Sequence, residues 1–300
     1  MGNSHSNPAR RASPEATKTS FNNEELERIY NTFSDIFAEK HEEFIAKRKS
    51  LRRISVLQES LVASLNKNAA GNTTSIAIEL RGSRELAEAE LGDCICEAFC
   101  VLLQSNKSIT RIALVQMGIT PAGLSQLPAT LAANRTLREL DLSHNPLNSA
   151  GVRAIAEAVG SACNLSHLSL DSVNAGDEGA CAVAELLSRN TKLVMVDLTS
   201  NDIGDSGLLA LHDAAKTHIN ISNLCLKENP GATNDAIKAL GSVFKRNDAV
   251  AVVLQVLVAR VMAAVAGMDV TDAAATAAAA AAATTDGGSG ATCLVADVGV

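Results

Sequence analysis

The first six residues carry a pattern for covalent lipid attachment. They read Met-Gly-Asn-Ser-His-Ser, which matches the N-myristoylation signal M-G-x-x-x-[ST]. Removal of Met1 exposes the amine of Gly2, and the small polar residues that follow suit the transferase. The sequence therefore predicts a myristoyl group on Gly2, against the alternative of a tail that begins with Met-Gly by chance. One myristoyl chain holds a protein only marginally on a membrane.

Two serines follow basic residues in the form that basophilic kinases accept. Ser13 comes after Arg10-Arg11-Ala12, and Ser55 comes after Arg52-Arg53-Ile54. A phosphate on Ser13 would oppose anionic lipid close to Gly2, so it could act as an electrostatic switch. Ser13 and Ser55 are therefore candidate phosphorylation sites.

The middle of the chain also contains the residue types of a Ser/His/Asp catalytic triad. Serine, histidine and aspartate recur there as Asp141, Ser143, His144, His167, Ser169 and Asp171. Such a set needs a pocket and preorganised donors for an oxyanion. The family resemblance drawn below from the repeat pattern implies an open, wet surface instead. We therefore predict no catalytic residue and no enzymatic activity.

Three cysteines lie close together, at Cys94, Cys96 and Cys100. A structural zinc site needs four ligands, and neither a histidine nor a fourth cysteine is near in sequence. Cys96 and Cys100 are spaced to share one face of a helix, where free cysteine commonly behaves as a small buried hydrophobic residue. We predict core packing here, with no metal and no cofactor.

These residues belong to a repeat of 28 residues. Residues 137–145 have the pattern L-x-x-L-x-L-x-x-N, and its first position recurs at Ile109, Leu137, Leu165, Leu193 and Ile221. A fixed period of this size indicates a solenoid. The fourth and sixth positions would point into the core from a short strand, and apolar residues at helical spacing follow. We predict an α/β solenoid over residues 75–247.

The ninth position of the repeat is asparagine in three of the five copies. Asn145, Asn201 and Asn229 occupy it, whereas Met117 and Val173 replace it in the other two. An asparagine amide can satisfy backbone groups that a turn leaves bare. We therefore expect looser turns in the copies with Met117 and Val173.

The pattern resembles the ribonuclease-inhibitor-like class of leucine-rich repeats, found also in Ran GTPase-activating proteins and, in degenerate form, in tropomodulins. The resemblance covers residues 75–247 and implies a horseshoe, with parallel strands along the concave side and helices outside. It also implies that the main activity is protein binding. We transfer no catalytic residue from these families.

The horseshoe would turn the third, fifth and seventh positions of each strand toward a concave face. Its middle is acidic, through Glu139, Asp141, Asp171 and Asp197, and would suit a partner with a basic segment. The alternative is an ordinary solvated surface. The predicted binding residues are Arg111, Glu139, Asp141, His167, Ser169, Asp171, Met195, Asp197, Asn223 and Lys227.

Residues 21–70 have a different character and predict an amphipathic helical module. An aromatic stripe runs along it, formed by Tyr30, Phe33, Phe37 and Phe44. One interpretation is that this stripe covers the open end of the first repeat, because the end of a solenoid must be capped. The other is a partner-binding helix, since aromatic residues are typical anchors of interfaces.

The C-terminal part reads as a cap followed by a tail. Between Ala249 and Met268 only Gln255 and Arg260 are polar, and 20 such residues could span a bilayer. Arg260 near the middle makes a transmembrane helix costly. We therefore predict an apolar cap or degenerate last repeat over residues 248–268. Residues 269–300 are rich in alanine, threonine and glycine and predict a low-complexity tail.

Composition narrows the function. The net charge of −7 argues against a general nucleic-acid binder, and residues 1–20 contain no apolar run of a secretory signal. We predict a cytoplasmic, non-catalytic scaffold or adaptor, tethered through Gly2 to the cytoplasmic face of a membrane. The alternatives are a regulator of a small GTPase and a cytoskeletal or flagellar structural component.

Overall fold

A computed structural model describes residues 24–46, 51–70, 75–82, 91–160 and 163–230. Two helices come first, α1 (Glu24–Ala46) and α2 (Leu51–Ala70). Acidic residues fill the first turn of α1, where the helix dipole favours negative charge. The repeats follow these helices, and none of the described helices is long and apolar enough to cross a membrane.

Six parallel strands form one sheet in which the spatial order equals the chain order. The pairing repeats the sequence period, since Arg111 lies beside Glu139 and Glu139 lies beside His167. This confirms the α/β solenoid of parallel strands. The strands are β1 (Ile76–Arg81), β2 (Ile109–Val115), β3 (Glu139–Asp141), β4 (His167–Ser169), β5 (Met195–Asp197) and β6 (Asn223–Cys225).

Helices connect the strands and pack side by side on the other face of the sheet. Their apolar residues recur at helical spacing, and Val152, Ile155 and Val159 are fully buried. In the copy that begins at Ile109, Pro121 and Pro128 divide the helical part into a 3₁₀ turn and a short α-helix. The helical segments are α3 (Gly92–Ser105), the 3₁₀ turn (Pro121–Leu124), α4 (Leu127–Ala133), α5 (Asn148–Val159), α6 (Gly176–Arg189) and α7 (Asp205–Thr217).

The turn after each strand has the same backbone shape in all five copies. Its eighth-position residue is left-handed each time, with φ between 53° and 59°, at Gln116, His144, Ser172, Ser200 and Glu228. The expected loosening at Met117 and Val173 is therefore wrong. The N–H of Met117 donates to Asn145, and that of Val173 donates to Asn201. Each asparagine serves the turn of the preceding repeat, so a copy without asparagine is supplied by its successor.

The starts of β2, β3, β5 and β6 are each held by a second polar side chain, three residues before the first position of the repeat. The Oδ1 atoms of Asn106, Asn134 and Asn190 each accept the N–H groups two and three residues further on. His218 replaces the asparagine in the last described copy, and its Nδ1 accepts from Asn220 and Ile221 at 3.2 and 2.9 Å. These buried groups fix where the four strands begin.

The N-terminal helices cover the first repeat. Phe33 of α1 is buried and its ring lies 5.2 Å from that of Phe99 in α3. From α2, Asn68 hydrogen-bonds both the N–H and the carbonyl of Ala77, and Ser64 accepts from the N–H of Glu79. Polar side chains of α2 thus hydrogen-bond backbone groups on the outer edge of β1, which would otherwise be open to another strand.

Candidate functional site

The concave face is the sheet surface formed by the third, fifth and seventh positions of the strands. Register pairing places these positions in columns, so that Arg111, Glu139, His167, Met195 and Asn223 form the third-position column. Neighbouring members of a column are separated by about 5 Å, the distance between strands. The residues predicted for this face are therefore brought together as neighbours.

One of the four predicted acidic residues, Glu139, forms an ion pair with a neighbouring arginine. Arg111 contacts Glu139 at 2.9 Å and Glu79 of β1 at 3.2 Å, so one guanidinium bridges three strands. Both carboxylates and the guanidinium remain well exposed, which limits the stability that these ion pairs contribute. Glu139 is consequently a weaker attraction for a basic partner than its sequence position suggests.

Three carboxylates remain on or just after the middle strands, and we call Asp141, Asp171 and Asp197 the acidic cluster. Asp141 accepts the N–H of Ser143 at 3.0 Å. Asp197 accepts the N–H and the hydroxyl of Thr199 at 3.0 and 2.6 Å. All three side chains are half-buried, and no lysine or arginine of the described chain makes an ion pair with them. Asp171 accepts the hydroxyl of Ser172 at 2.8 Å and lies 3.4 Å from the imidazole of His144. Hydrogen bonds from neighbouring N–H and hydroxyl groups thus orient the cluster without an ion pair to lysine or arginine.

The Ser/His/Asp set does not assemble into a catalytic chain. Ser143 shares a hydrogen bond with Ser169 at 2.9 Å, and His167 contacts the Ser166 hydroxyl at 2.9 Å. His144 lies 3.4 Å from Asp171, but neither serine of the predicted set is its hydrogen-bond partner. A nucleophile must contact its base and the base its orienting acid. This geometry offers no such sequence of contacts within the described residues.

Metal binding finds no support in the part of the chain that the structure describes. No group of three or more His, Cys, Asp or Glu residues there is placed to hold an ion. Cys96 and Cys100 are buried in α3. The pKa of the Cys96 thiol is raised well above its ordinary value, first by its hydrogen bond with Cys100 and then by burial. This thiol behaves as a core residue.

The concave face changes character at β6. Asn223 and Cys225 are buried, whereas the matching residues of β3, β4 and β5 are half-buried. Lys227 is exposed and brings a positive charge to this end. Met195 is half-buried within the third-position column. The accessible part of the face is therefore centred on β3, β4 and β5.

Several predicted residues fall outside this description. Gly2 and Ser13 precede the described residues, as the segments 249–268 and 269–300 follow them. Ser55 lies in α2, and Phe37 and Phe44 lie in α1, but their side chains are not described. Of the aromatic stripe, Phe33 is buried and Tyr30 packs half-buried against the core. Phe33 therefore covers the first repeat and is not exposed to a partner.

Two aspartates that link neighbouring helices were not predicted. Asp177 of α6 accepts the N–H groups of Gly204 and Gly207 and the hydroxyl of Ser206. The Ser206 hydroxyl, followed by the Gly204 N–H, lowers the pKa of this carboxyl. Asp93 binds Thr120 in the same way. Their spacing could have identified them in the sequence, because the two aspartates lie three repeat periods apart.

Comparison with known proteins supports the repeat assignment. The family model for a leucine-rich repeat matches residues 133–156 and 189–211. The two matched segments are similar to leucine-rich repeats. Proteins built from such repeats typically bind other proteins. No curated protein sequence matches the chain.

Solved structures also match. One is the structure titled "Leiomodin-1 Actin-Binding Site 2 (ABS2)", at 15% sequence identity and a TM-score of 0.34. The match covers 64% of this chain and 89% of that one.

Proposed function

We propose that this protein is a non-catalytic scaffold whose concave face binds a basic segment of a partner protein. The observation that carries this proposal is the acidic cluster. Asp141 lies on β3, Asp197 lies on β5 and Asp171 follows β4 by two residues, and no lysine or arginine of the described residues forms an ion pair with them. A leucine-rich repeat supplies the protein-binding framework, and the cluster supplies the charge preference.

The cluster suits an extended, positively charged segment more than a flat apolar surface. Among the binding residues predicted on this face there is no aromatic side chain, so an aromatic anchor of the usual kind is missing. Fixed carboxylates attract lysine and arginine without having to be reoriented. Because they are half-exposed, we expect the interaction to weaken with salt over a screening length of about 8–10 Å. The charge of the cluster should affect the specificity and the association rate of binding more than the affinity.

Removal of the three charges tests the proposal. The variant Asp141→Asn, Asp171→Asn, Asp197→Asn keeps a hydrogen-bond acceptor at each position. Its matched control is Glu157→Gln, Glu185→Gln, Asp205→Asn, which removes the same charge from exposed helix positions. Fluorescence anisotropy with a lysine- and arginine-rich peptide should show roughly tenfold weaker binding for the first variant, about 1.4 kcal/mol, and little change for the control.

Equal losses in both variants would mean that only the overall charge of −7 attracts the peptide. If the first variant bound the peptide as tightly as the wild type, the acidic cluster would not be the binding site. An acidic peptide of the same length provides the reference for nonspecific binding.

We further propose that the scaffold works at the cytoplasmic face of a membrane through a myristoyl group on Gly2. The support is the sequence Met1 to Ser6, which carries the acceptor glycine and the hydroxyl at the sixth position. The mass of the mature N-terminus should include the acyl group, and Gly2→Ala should move to the soluble fraction on cell fractionation. An unmodified N-terminus would leave a scaffold without this anchor.

Two assays on the purified protein test the alternatives of a GTPase regulator and a cytoskeletal or flagellar structural component. Acceleration of GTP hydrolysis by any member of a panel of small GTPases would replace the scaffold proposal with a GTPase regulator. Co-sedimentation with actin or axonemes would replace it with a structural component. The TM-score of the leiomodin match is too low to favour the second.

A further inference from the structure

The edge of the sheet at which the strands begin carries exposed positive charge. Lys107 precedes β2, Arg135 and Arg138 precede β3, and Lys192 precedes β5, and we call these four exposed residues the basic edge. No carboxylate of the described residues forms an ion pair with Lys107, Arg138 or Lys192. These three charges are therefore not neutralised within the described chain.

Asn164 brings three of these cations together. Its Oδ1 accepts from the Nζ of Lys192 at 2.6 Å, and its Nδ2 donates to the carbonyl of Arg135 at 2.8 Å. Its carbonyl accepts from the Nη1 of Arg138 at 3.4 Å. Burial raises the pKa of the neighbouring Cys163 thiol, whereas the positive charges of Lys192 and Arg135 act in the opposite direction. Three successive repeats thus contribute to one positive region.

Complementation of the helix dipoles does not explain this charge. Cations stabilise the last turn of a helix, and Arg189 and Lys216 occupy such places in α6 and α7. The helices α3, α4 and α5 end at the same edge of the sheet, but their last turns contain no basic residue. The basic edge lies beyond the helices, in the loops and at the start of β3. Its side chains are therefore placed to meet an external partner.

We propose that the basic edge is a docking surface for the anionic headgroups of a phospholipid membrane. This inference rests on the proposed attachment to a membrane and deepens it, because one myristoyl chain needs a second contribution for stable binding. Lysine and arginine close to an anionic membrane supply such a contribution. Strands are separated by about 5 Å, so the basic edge extends roughly 15 Å from Lys107 to Lys192. A line of charge of this length suits a surface with many anions more than one small anion.

Docking through this edge would leave the acidic cluster accessible. Asp141 is three residues beyond Arg138, which corresponds to about 10 Å along a strand. Asp171 is seven residues beyond Asn164. Exposed charges separated by more than the screening length of about 8–10 Å interact weakly. A membrane at the basic edge would therefore attract the molecule without strongly repelling these carboxylates, and the partner segment would bind to a different part of the sheet.

Vesicle binding by the full-length protein, prepared without an acyl group, tests this assignment. Co-sedimentation compares vesicles of phosphatidylserine mixed with phosphatidylcholine against vesicles of phosphatidylcholine alone. The variant Arg138→Gln, Lys192→Gln should lower the partition coefficient onto the anionic vesicles about tenfold or more. The matched control Arg81→Gln, Arg153→Gln also removes two exposed positive charges, but outside the basic edge, and should bind like the wild type.

Loss of binding by the first variant alone supports the proposal. Equal losses in both variants would overturn it, because overall charge would then control binding. Equal binding of the wild type to both kinds of vesicle would also overturn it, and this comparison needs no substitution. Binding to a glutamate-rich peptide in place of anionic vesicles would make the basic edge a protein-binding surface and contradict the proposal. Since the protein carries no acyl group, the outcome is independent of the mass measurement that tests Gly2.

Discussion

Asn145 connects two repeats through one side chain. Its Oδ1 accepts the N–H groups of Met117 and Ile119 from the preceding repeat, at 2.9 and 3.0 Å. Its Nδ2 donates to Leu114 of that repeat and to Leu142 of its own, at 2.7 and 2.8 Å. All of these groups are buried, so the backbone of two turns depends on a single amide.

Replacement of Asn145 should therefore be costly. Asn145→Ala leaves at least two buried N–H groups without an acceptor, and we expect it to lower the free energy of unfolding by about 2–4 kcal/mol. Urea unfolding followed by circular dichroism measures the change. Asn220→Ala is the control, because Asn220 is exposed and bonds one carbonyl, that of Thr191. A similar loss in both variants would contradict the bridging role of Asn145.

His218 makes stability depend on pH. Its Nδ1 accepts two N–H groups, and burial lowers the pKa of the imidazole below its ordinary value of 6.5. Protonation would convert that acceptor into a donor. The folded state therefore takes up this proton at a lower pH than the unfolded state, and stability falls as the pH falls below 6.5.

The variant His218→Asn introduces the residue found at Asn106, Asn134 and Asn190 and removes this titration. The wild type should lose more stability than the variant between about pH 6.5 and 5, as measured by thermal unfolding across that range. Parallel curves for the two proteins would show that other groups cause the acid response.

At the scale of elements, α1 acts as the cover of the first repeat. Leu26, Ile29 and Phe33 are each 1% exposed, and Phe33 packs on Phe99 of α3. Glu25 adds a hydrogen bond from the amide of Asn106 at 2.7 Å, which joins the helix to the start of β2. An amphipathic helix is held by such burial more than by its own propensity.

Phe33→Ala should release this cover. Loss of a fully buried aromatic ring costs about 3–5 kcal/mol, so we expect a lower unfolding midpoint and faster proteolysis within α1 and α2. Asn31→Ala, on the exposed side of α1, should change neither. If Phe33→Ala were as stable as Asn31→Ala, the helix would not be the cover.

The sequence was most informative where one position repeats with the same chemistry. Leucines at the fourth and sixth positions predicted the strands and their register, and Leu140 does pair with Leu168. The asparagines before the strands were missed because Ala162 and His218 interrupt their series. The Arg111–Glu139 ion pair was also missed, although the two residues lie one period apart. Side-chain pairing depends on reach and rotamer, which the period does not specify.

At the scale of the whole molecule, the distribution of charge follows the sheet. The acidic cluster occupies β3 to β5, Arg111 compensates Glu139 and Glu79 at one end, and Lys227 lies at the other. A basic segment laid across the strands would therefore meet attraction in the middle and repulsion at the end that carries Lys227. This arrangement would position the segment as well as bind it.

The most direct measurement of the central claim is the location of the bound partner segment. A lysine-rich peptide can be joined to carboxylates within contact distance by a zero-length carbodiimide, and the joined residues can be identified by mass spectrometry. We predict peptide attached at Asp141, Asp171 and Asp197, in amounts that decrease with added salt. Attachment at Glu157, Glu185 and Asp205 on the helices, with the acidic cluster unmodified, would contradict the assignment of the concave face as the binding surface.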